Sequence, residues 1–336
     1  VYAYAAYGEL ARLGLDPYAH APPGLHDALL QDAAWQWSPA TFPICVYGPA
    51  FVGLARAVVD ALAPLGTLAQ LDGLRLAASA ALLSIVPLAF AAYGGDRAAK
   101  LRAAATIALN PPAIWCAAEG HNDAIALAIV LAGFAVARRG FFATGAVIVA
   151  FSGLVKAPAA LAAVAFAAMQ RRARLGAAVG IGLVAAFSLP LLFGVGTRLA
   201  PHGQYAPQAS VQAIGAPWSP FAAIVAAGTI CVALTAAGIV RLRRGDNAGW
   251  IWLGIGAWAL VPNPYPWYGI WMIALAAIAP RSRAATAAIL LSFTSLLRYV
   301  PDAIGGPTPA GTVALGIAAS LPMLMLLPGW YNERLT

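Results

Sequence analysis

The chain has 336 residues, 62% of them hydrophobic and 10% charged, with a mean hydropathy of +0.78 and a formal net charge of +8. A soluble domain of this size cannot cover so much apolar surface with so few polar groups, and the composition is that of an all-α polytopic membrane protein. Disordered, collagen-like and disulfide-scaffold chains are excluded, because they need low hydrophobicity, a glycine repeat or dense cysteine.

The first seventy residues hold no uninterrupted apolar run of about 20 residues, the length that crosses a bilayer. They also carry no initiator Met, basic leader or leader-type apolar run. A first transmembrane helix is therefore expected upstream of Val1, in a longer chain. Gly48 to Leu65 is apolar, but Arg56 and Asp60 lie one turn apart within it, which predicts a helix lying on the membrane surface. The expected organisation is an outer loop with interfacial helices over residues 1–73 and a transmembrane helical domain over residues 74–336.

Nine spans are expected: Leu74 to Tyr93, Leu101 to Ala118, Ala124 to Ala137, Leu175 to Val195, Pro220 to Val240, Ala248 to Val261, Trp267 to Ala279, Ala284 to Tyr299 and Ala310 to Leu327. Phe141 to Met169 is long for one span and is interrupted by Lys156-Ala157-Pro158, which predicts two short helices meeting at a corner. Threading these spans places Arg97, Lys100, Arg102, Arg138, Arg139, Arg171, Arg172, Arg174, Arg241, Arg243, Arg244, Arg281, Arg283 and Arg334 on one side, which is the cytoplasmic one by the positive-inside rule. The outer side receives residues 1–73, Glu119 to Asp123, Lys156, Gly196 to Ser219, Pro262 to Pro266 and Arg298 to Pro309. Basic residues scattered in short loops argue against nucleic-acid binding. Cys45, Cys116 and Cys231 have no metal-binding spacing.

Ionisable side chains at membrane depth are the first candidates for chemistry. Glu119-Gly120-His121-Asn122-Asp123 opens a span, where a helix N-terminus favours anions. Asn122 or Asp123 would serve as a cap there. The three titratable groups exceed what capping needs, so Asp123 or Glu119 is a candidate base and His121 a candidate hydrogen-bonding group for a phosphate or sugar oxygen. Lys156 and Arg298, near outer helix ends, either snorkel to the interface or face an anionic headgroup. Tyr265, Trp267 and Tyr268, with Trp35, Trp37 and Tyr47, form an interfacial belt or stack on sugars; prolines at 262, 264 and 266 preclude regular helix there. No nucleotide-binding or hydrolase motif stands in a usable context.

Six stretches then occur in a familiar order: Val1-Tyr2-Ala3-Tyr4-Ala5-Ala6-Tyr7-Gly8, Gly14-Leu15-Asp16-Pro17-Tyr18, Tyr47-Gly48-Pro49, Gly120-His121-Asn122-Asp123-Ala124, Val155-Lys156-Ala157-Pro158 and Tyr265-Pro266-Trp267-Tyr268. In these the chain resembles the GT-C glycosyltransferases, most closely the polyprenyl-phosphomannose-dependent α-(1→6)-mannosyltransferases of bacterial envelopes. Val46 stands where the pattern has Pro. The resemblance implies a GT-C-like multispan bundle in the bacterial cytoplasmic membrane, with a large first extracytoplasmic loop and an outward-facing active site. It implies a polyprenyl-phosphate sugar as donor and a glycan or glycolipid as acceptor. It also implies a catalytic carboxylate just after the first transmembrane helix, upstream of Val1, which leaves Asp16 and Asp123 as the acidic candidates within this sequence. Lys156, Arg298 and His121 would suffice for a monophosphate leaving group; the need for a divalent cation stays open. Tyr47, Trp267 and Tyr268 would line the sugar site, with Asn122 beside them. A lipid-linked sugar flippase or small-solute transporter is the rival class, although the two halves show no convincing internal repeat.

Overall fold

The computed structural model describes residues 1–19, 27–34, 45–189, 206–304, 306 and 308–327. Among these every regular element is helical. Trp35, Trp37 and Arg334, named above, lie outside the described residues. The chain divides into two compact units, one of residues 1–94 and 116–202 and another of residues 95–115 and 203–336.

The first unit contains α1 (Tyr2–Arg12), α2 (Ala28–Ala34), α3 (Pro49–Leu62), α4 (Thr67–Ala92), the end of α6 (Pro111–Ala118), α7 (Asp123–Arg138), α8 (Phe142–Phe151), α9 (Leu161–Met169) and α10 (Arg174–Phe187). In α3, Phe51, Val52, Ala55 and Val59 recur at helical spacing and are buried, while Arg56 and Asp60 are exposed. A helix is expected here from the sequence, and its buried face packs against α1 and α4. The 26 residues of α4 bury a narrow stripe through Leu71, Leu74, Ala78, Ile85 and Ala89 and leave Leu68, Leu76 and Leu83 exposed, as suits a helix with lipid on its outer side. Where α7 crosses α8, a Cβ on Gly133 would lie 2.6 Å from the Gly145 carbonyl oxygen, and one on Gly145 would lie 2.6 Å from that of Gly133. Small residues on both helices thus let the two backbones meet.

In the second unit lie α5 (Arg97–Ala108), α11 (Val211–Gly215), α12 (Pro220–Arg243), α13 (Gly249–Ala259), α14 (Gly269–Ala276), α15 (Arg283–Thr294), α16 (Val300–Ala303) and α17 (Pro309–Ser320). Ile251, Ile255, Trp258, Met272, Ala288 and Leu291 form its core. The helix α5 packs against α14, and Thr294 Oγ1 donates to the Ala319 carbonyl at 2.9 Å, joining α15 to the end of α17.

Three described helical stretches are long and apolar enough to cross a membrane, Thr67–Ala92, Pro220–Arg243 and Pro309–Leu326; a fourth is reached if the bent pair Pro111–Ala118 and Asp123–Arg138 counts as one. Among the described residues, several of the nine expected spans are therefore broken or short, and the expected span Leu175 to Val195 ends outside them. Leu101 to Ala118, expected as one span, is two helices parted at Leu109-Asn110, because Pro111 and Pro112 offer no N–H and push the preceding residue out of the helical region. Ala248 to Val261 and Ala284 to Tyr299 likewise shrink to helices of 11 and 12 residues. The corner expected between Phe141 and Met169 is present: α8 gives way to short 3-10 turns at Ser152–Leu154 and Ala157–Ala160 before α9.

Candidate active site

Cys116 to Asp123 turns the chain through a glycine. Gly120 has φ +72°, its N–H donates to the Ala117 carbonyl at 2.9 Å, and the His121 N–H reaches back to Cys116 at 2.8 Å. This pair of bonds closes α6 and requires a left-handed residue, which explains the glycine. Immediately afterwards α7 begins, with Asn122 at the cap position but no capping bond from its side chain, and Asp123 as the first helical residue.

Asp123 is fully buried, and both of its carboxylate oxygens lie 2.6 Å from Lys156 Nζ. The Lys156 side chain is 14% exposed, so it is the member of the pair that solvent touches. The two residues are 33 positions apart and meet because α7 and α8 are antiparallel neighbours whose far ends adjoin. The Val155 carbonyl accepts from the Gly48 N–H at 3.1 Å and from Asn122 Nδ2 at 3.5 Å. A Cβ on Gly48 would overlap the Leu154 backbone, so the approach needs glycine. Three of the stretches quoted above, Tyr47-Gly48-Pro49, Gly120 to Ala124 and Val155 to Pro158, are thus joined at one carbonyl. Asn122 is itself fully buried, and its Oδ1 finds no donor among the described residues.

A fourth stretch enters through Tyr4, which is 4% exposed. Its hydroxyl lies 2.6 Å from His121 Nδ1 and accepts from the Tyr47 hydroxyl at 3.3 Å. With Tyr47 donating, the Tyr4 proton is left for Nδ1, and the neutral imidazole is then protonated at Nε2. The Tyr4 ring meets Tyr47, Phe51 and His121 edge to face at 5.0, 5.1 and 5.6 Å. Burial, with a smaller contribution from Tyr47, pushes the Tyr4 phenol well above its ordinary pKa, so it stays protonated. Sequence reasoning does not reach Tyr4 as a site residue: nothing in its spacing links position 4 to position 121.

Glu119 is half-buried on the same turn. Asp16 is exposed, and its Oδ1 accepts from the Tyr18 N–H at 2.9 Å, closing a turn after α1. Among the described residues no group of three or more His, Cys, Asp or Glu could hold a metal ion.

The remaining sequence candidates form a cluster within the second unit. Tyr265 and Trp267 stack at 4.4 Å with an interplanar angle of 6°, and Tyr268 meets both rings edge to face at 6.0 Å. The Arg298 guanidinium lies 5.1 Å from the Tyr265 ring centre. The proline-rich turn is held from a segment that carries no motif: Ser210 Oγ donates to the Pro262 carbonyl at 2.8 Å and Gln212 Nε2 to the Leu260 carbonyl at 2.7 Å. These bonds take up carbonyls that the end of α13 leaves unpaired.

An all-helical membrane protein with a buried ion pair and aromatic clusters at helix ends is the class these features define. Residues 1–172, half of the chain, match the family model described as Alpha-(1->6)-mannopyranosyltransferase, N-terminal domain, and the chain belongs to that family. It is 28% identical to the Alpha-(1->6)-mannopyranosyltransferase A of Mycobacterium tuberculosis, over 91% of this chain and 66% of that protein. The chain thus spans just under two thirds of that relative's length. No solved structure matches it.

Proposed function

We propose that the chain is part of an integral-membrane mannosyltransferase that moves mannose from a polyprenyl-phosphate donor to an envelope glycan or glycolipid on the extracytoplasmic side, with inversion. The observation that carries this reading is the meeting of four sequence stretches around the Lys156–Asp123 pair. In such a transfer the acceptor oxygen attacks the anomeric carbon as the bond to phosphate breaks. The departing lipid monophosphate keeps the electron pair, and the acceptor proton passes to a carboxylate. Lys156 is the cation for the departing phosphate, with or without a divalent ion beside it. His121 and Asn122 bind sugar or phosphate oxygens, and Tyr47 is the aromatic wall. Asp123, Glu119 and Asp16 are the base candidates. Arg298, Trp267 and Tyr268, which cluster within the second unit, are substrate-binding candidates there.

The outward placement has support in the first unit's own charge distribution. Asp123 begins α7 and Arg138 ends it, about 22 Å apart at 1.5 Å per residue. Arg138 packs beside Gly94, just past the end of α4, and Arg171 and Arg172 lie in a turn against α8. The arginine-rich end is opposite the ion pair, as expected of a cytoplasmic face.

The test is transfer of labelled mannose from polyprenyl-phosphate mannose to a short α-mannoside by the full-length protein in nanodiscs, with Lys156→Ala as the control. Transfer that Lys156→Ala abolishes supports the reading. No transfer from mannosyl, glucosyl or arabinosyl donors, while labelled lipid crosses the bilayer in proteoliposomes, replaces it with a flippase.

A further inference from the structure

We propose that Asp123 is not the base of the reaction but a positioning residue that holds the Lys156 ammonium toward the donor phosphate; this rests on the mannosyltransferase reading above. A general base must turn a lone pair toward the acceptor hydroxyl at about 2.6–3.2 Å. Asp123 has no exposed surface, and both its oxygens are engaged by the same ammonium at 2.6 Å. As the first residue of α7 it also sits at the positive end of the helix dipole, which favours a fixed anion. The other end of the contact is equally constrained. Lys156 has extended backbone, φ −143° and ψ 107°, between two 3-10 turns; its N–H donates to the Ser152 carbonyl at 2.9 Å, and the preceding carbonyl is held from Gly48 and Asn122. A flexible four-carbon stem anchored at its root and fixed near its tip becomes a directed cation rather than a snorkelling one. The carboxylate that takes the acceptor proton is then a different one.

The discriminating experiment separates donor binding from turnover in Asp123→Asn. A positioning role predicts a donor KM raised about tenfold or more, with a smaller fall in kcat, since the ammonium is still present but no longer held toward the phosphate it meets in both donor and transition state. A fall in kcat of about a hundredfold or more at unchanged donor KM is the signature of a lost base, and overturns the proposal. A second measurement needs no catalysis. Lys156→Met leaves Asp123 as an unpaired buried charge, and adding Asp123→Asn removes that charge. The double variant should melt well above Lys156→Met alone in detergent. Equal melting temperatures of the two show that the pair is not coupled and overturn the proposal even if Asp123→Asn fails to fold. If the wild type transfers no mannose, the mannosyltransferase reading fails, while the melting comparison still decides whether Asp123 and Lys156 act as a pair.

Discussion

Replacing Gly48 with Ala should loosen the site without touching an ionisable group. The glycine has φ −68° and ψ 162°, a conformation any residue adopts, so the substitution costs nothing in backbone strain. What it costs is space. The new methyl would overlap the Leu154 carbonyl, and the two segments must part by ~1 Å to restore an ordinary contact. That movement stretches the bond from the Gly48 N–H to the Val155 carbonyl, now 3.1 Å, beyond useful length. Overpacking of about 1–3 kcal/mol and a lost hydrogen bond of about 0.5–1.5 kcal/mol together give roughly 2–4 kcal/mol of destabilisation. Tyr47 moves with the corner, away from the Tyr4 ring it now meets at 5.0 Å. Denaturant unfolding of the detergent-solubilised protein, with the midpoint converted through a shared slope, measures the loss. A variant within about 0.5 kcal/mol of wild type would falsify the claim that the corner is docked on this carbonyl.

Gly120→Ala should cost about 1–2 kcal/mol by the same assay, because φ +72° places the new Cβ in the left-handed region. Ala209, at φ +48°, is the converse case; Ala209→Gly should stabilise by about 0.5–1 kcal/mol, and a destabilised variant would show that its conformation is not strained. Tyr4→Phe leaves the His121 Nδ1 contact unmade in a buried place and should cost about 1–3 kcal/mol, whereas Tyr47→Phe, which loses the longer 3.3 Å bond to Tyr4, should cost less. Burial pushes the Cys45 thiol up to about 12, so at pH 8 almost none is thiolate. In a variant retaining Cys45 as its one cysteine, alkylation should wait for denaturant; prompt labelling of the folded protein would contradict the burial.

The composition made a helical membrane protein legible, and local signals carried several elements correctly. Gly48 to Leu65 was legible as a helix, and Lys156-Ala157-Pro158 marked the corner after α8, since a lysine and a proline act on the few residues around them. Continuous spans were less legible. Mean apolarity over 20 residues ignores where Pro111 and Pro112 interrupt the hydrogen-bond ladder, and it merges α5 with α6. In the site, each half of the ion pair was visible as an ionisable group in an apolar setting. The pairing itself was not: it depends on the antiparallel return of α8 along α7, which no 33-residue spacing encodes. For the same reason Asp123 and Glu119 stood in the sequence as equal carboxylates of one turn, with nothing to show that Lys156 engages Asp123.

The excursion of residues 95–115 into the second unit sets an order of events during synthesis. The helix α5 is complete at Ala108, yet its partner α14 begins only at Gly269. At about 5–20 residues per second, α5 waits roughly ten to thirty seconds for that partner. Throughout that interval the early helices can settle around Asp123 and Lys156, while α5 still lacks its packing against α14. The native contact of α5 is thus a late one, and a ribosome stalled before Gly269 should leave it accessible to proteases.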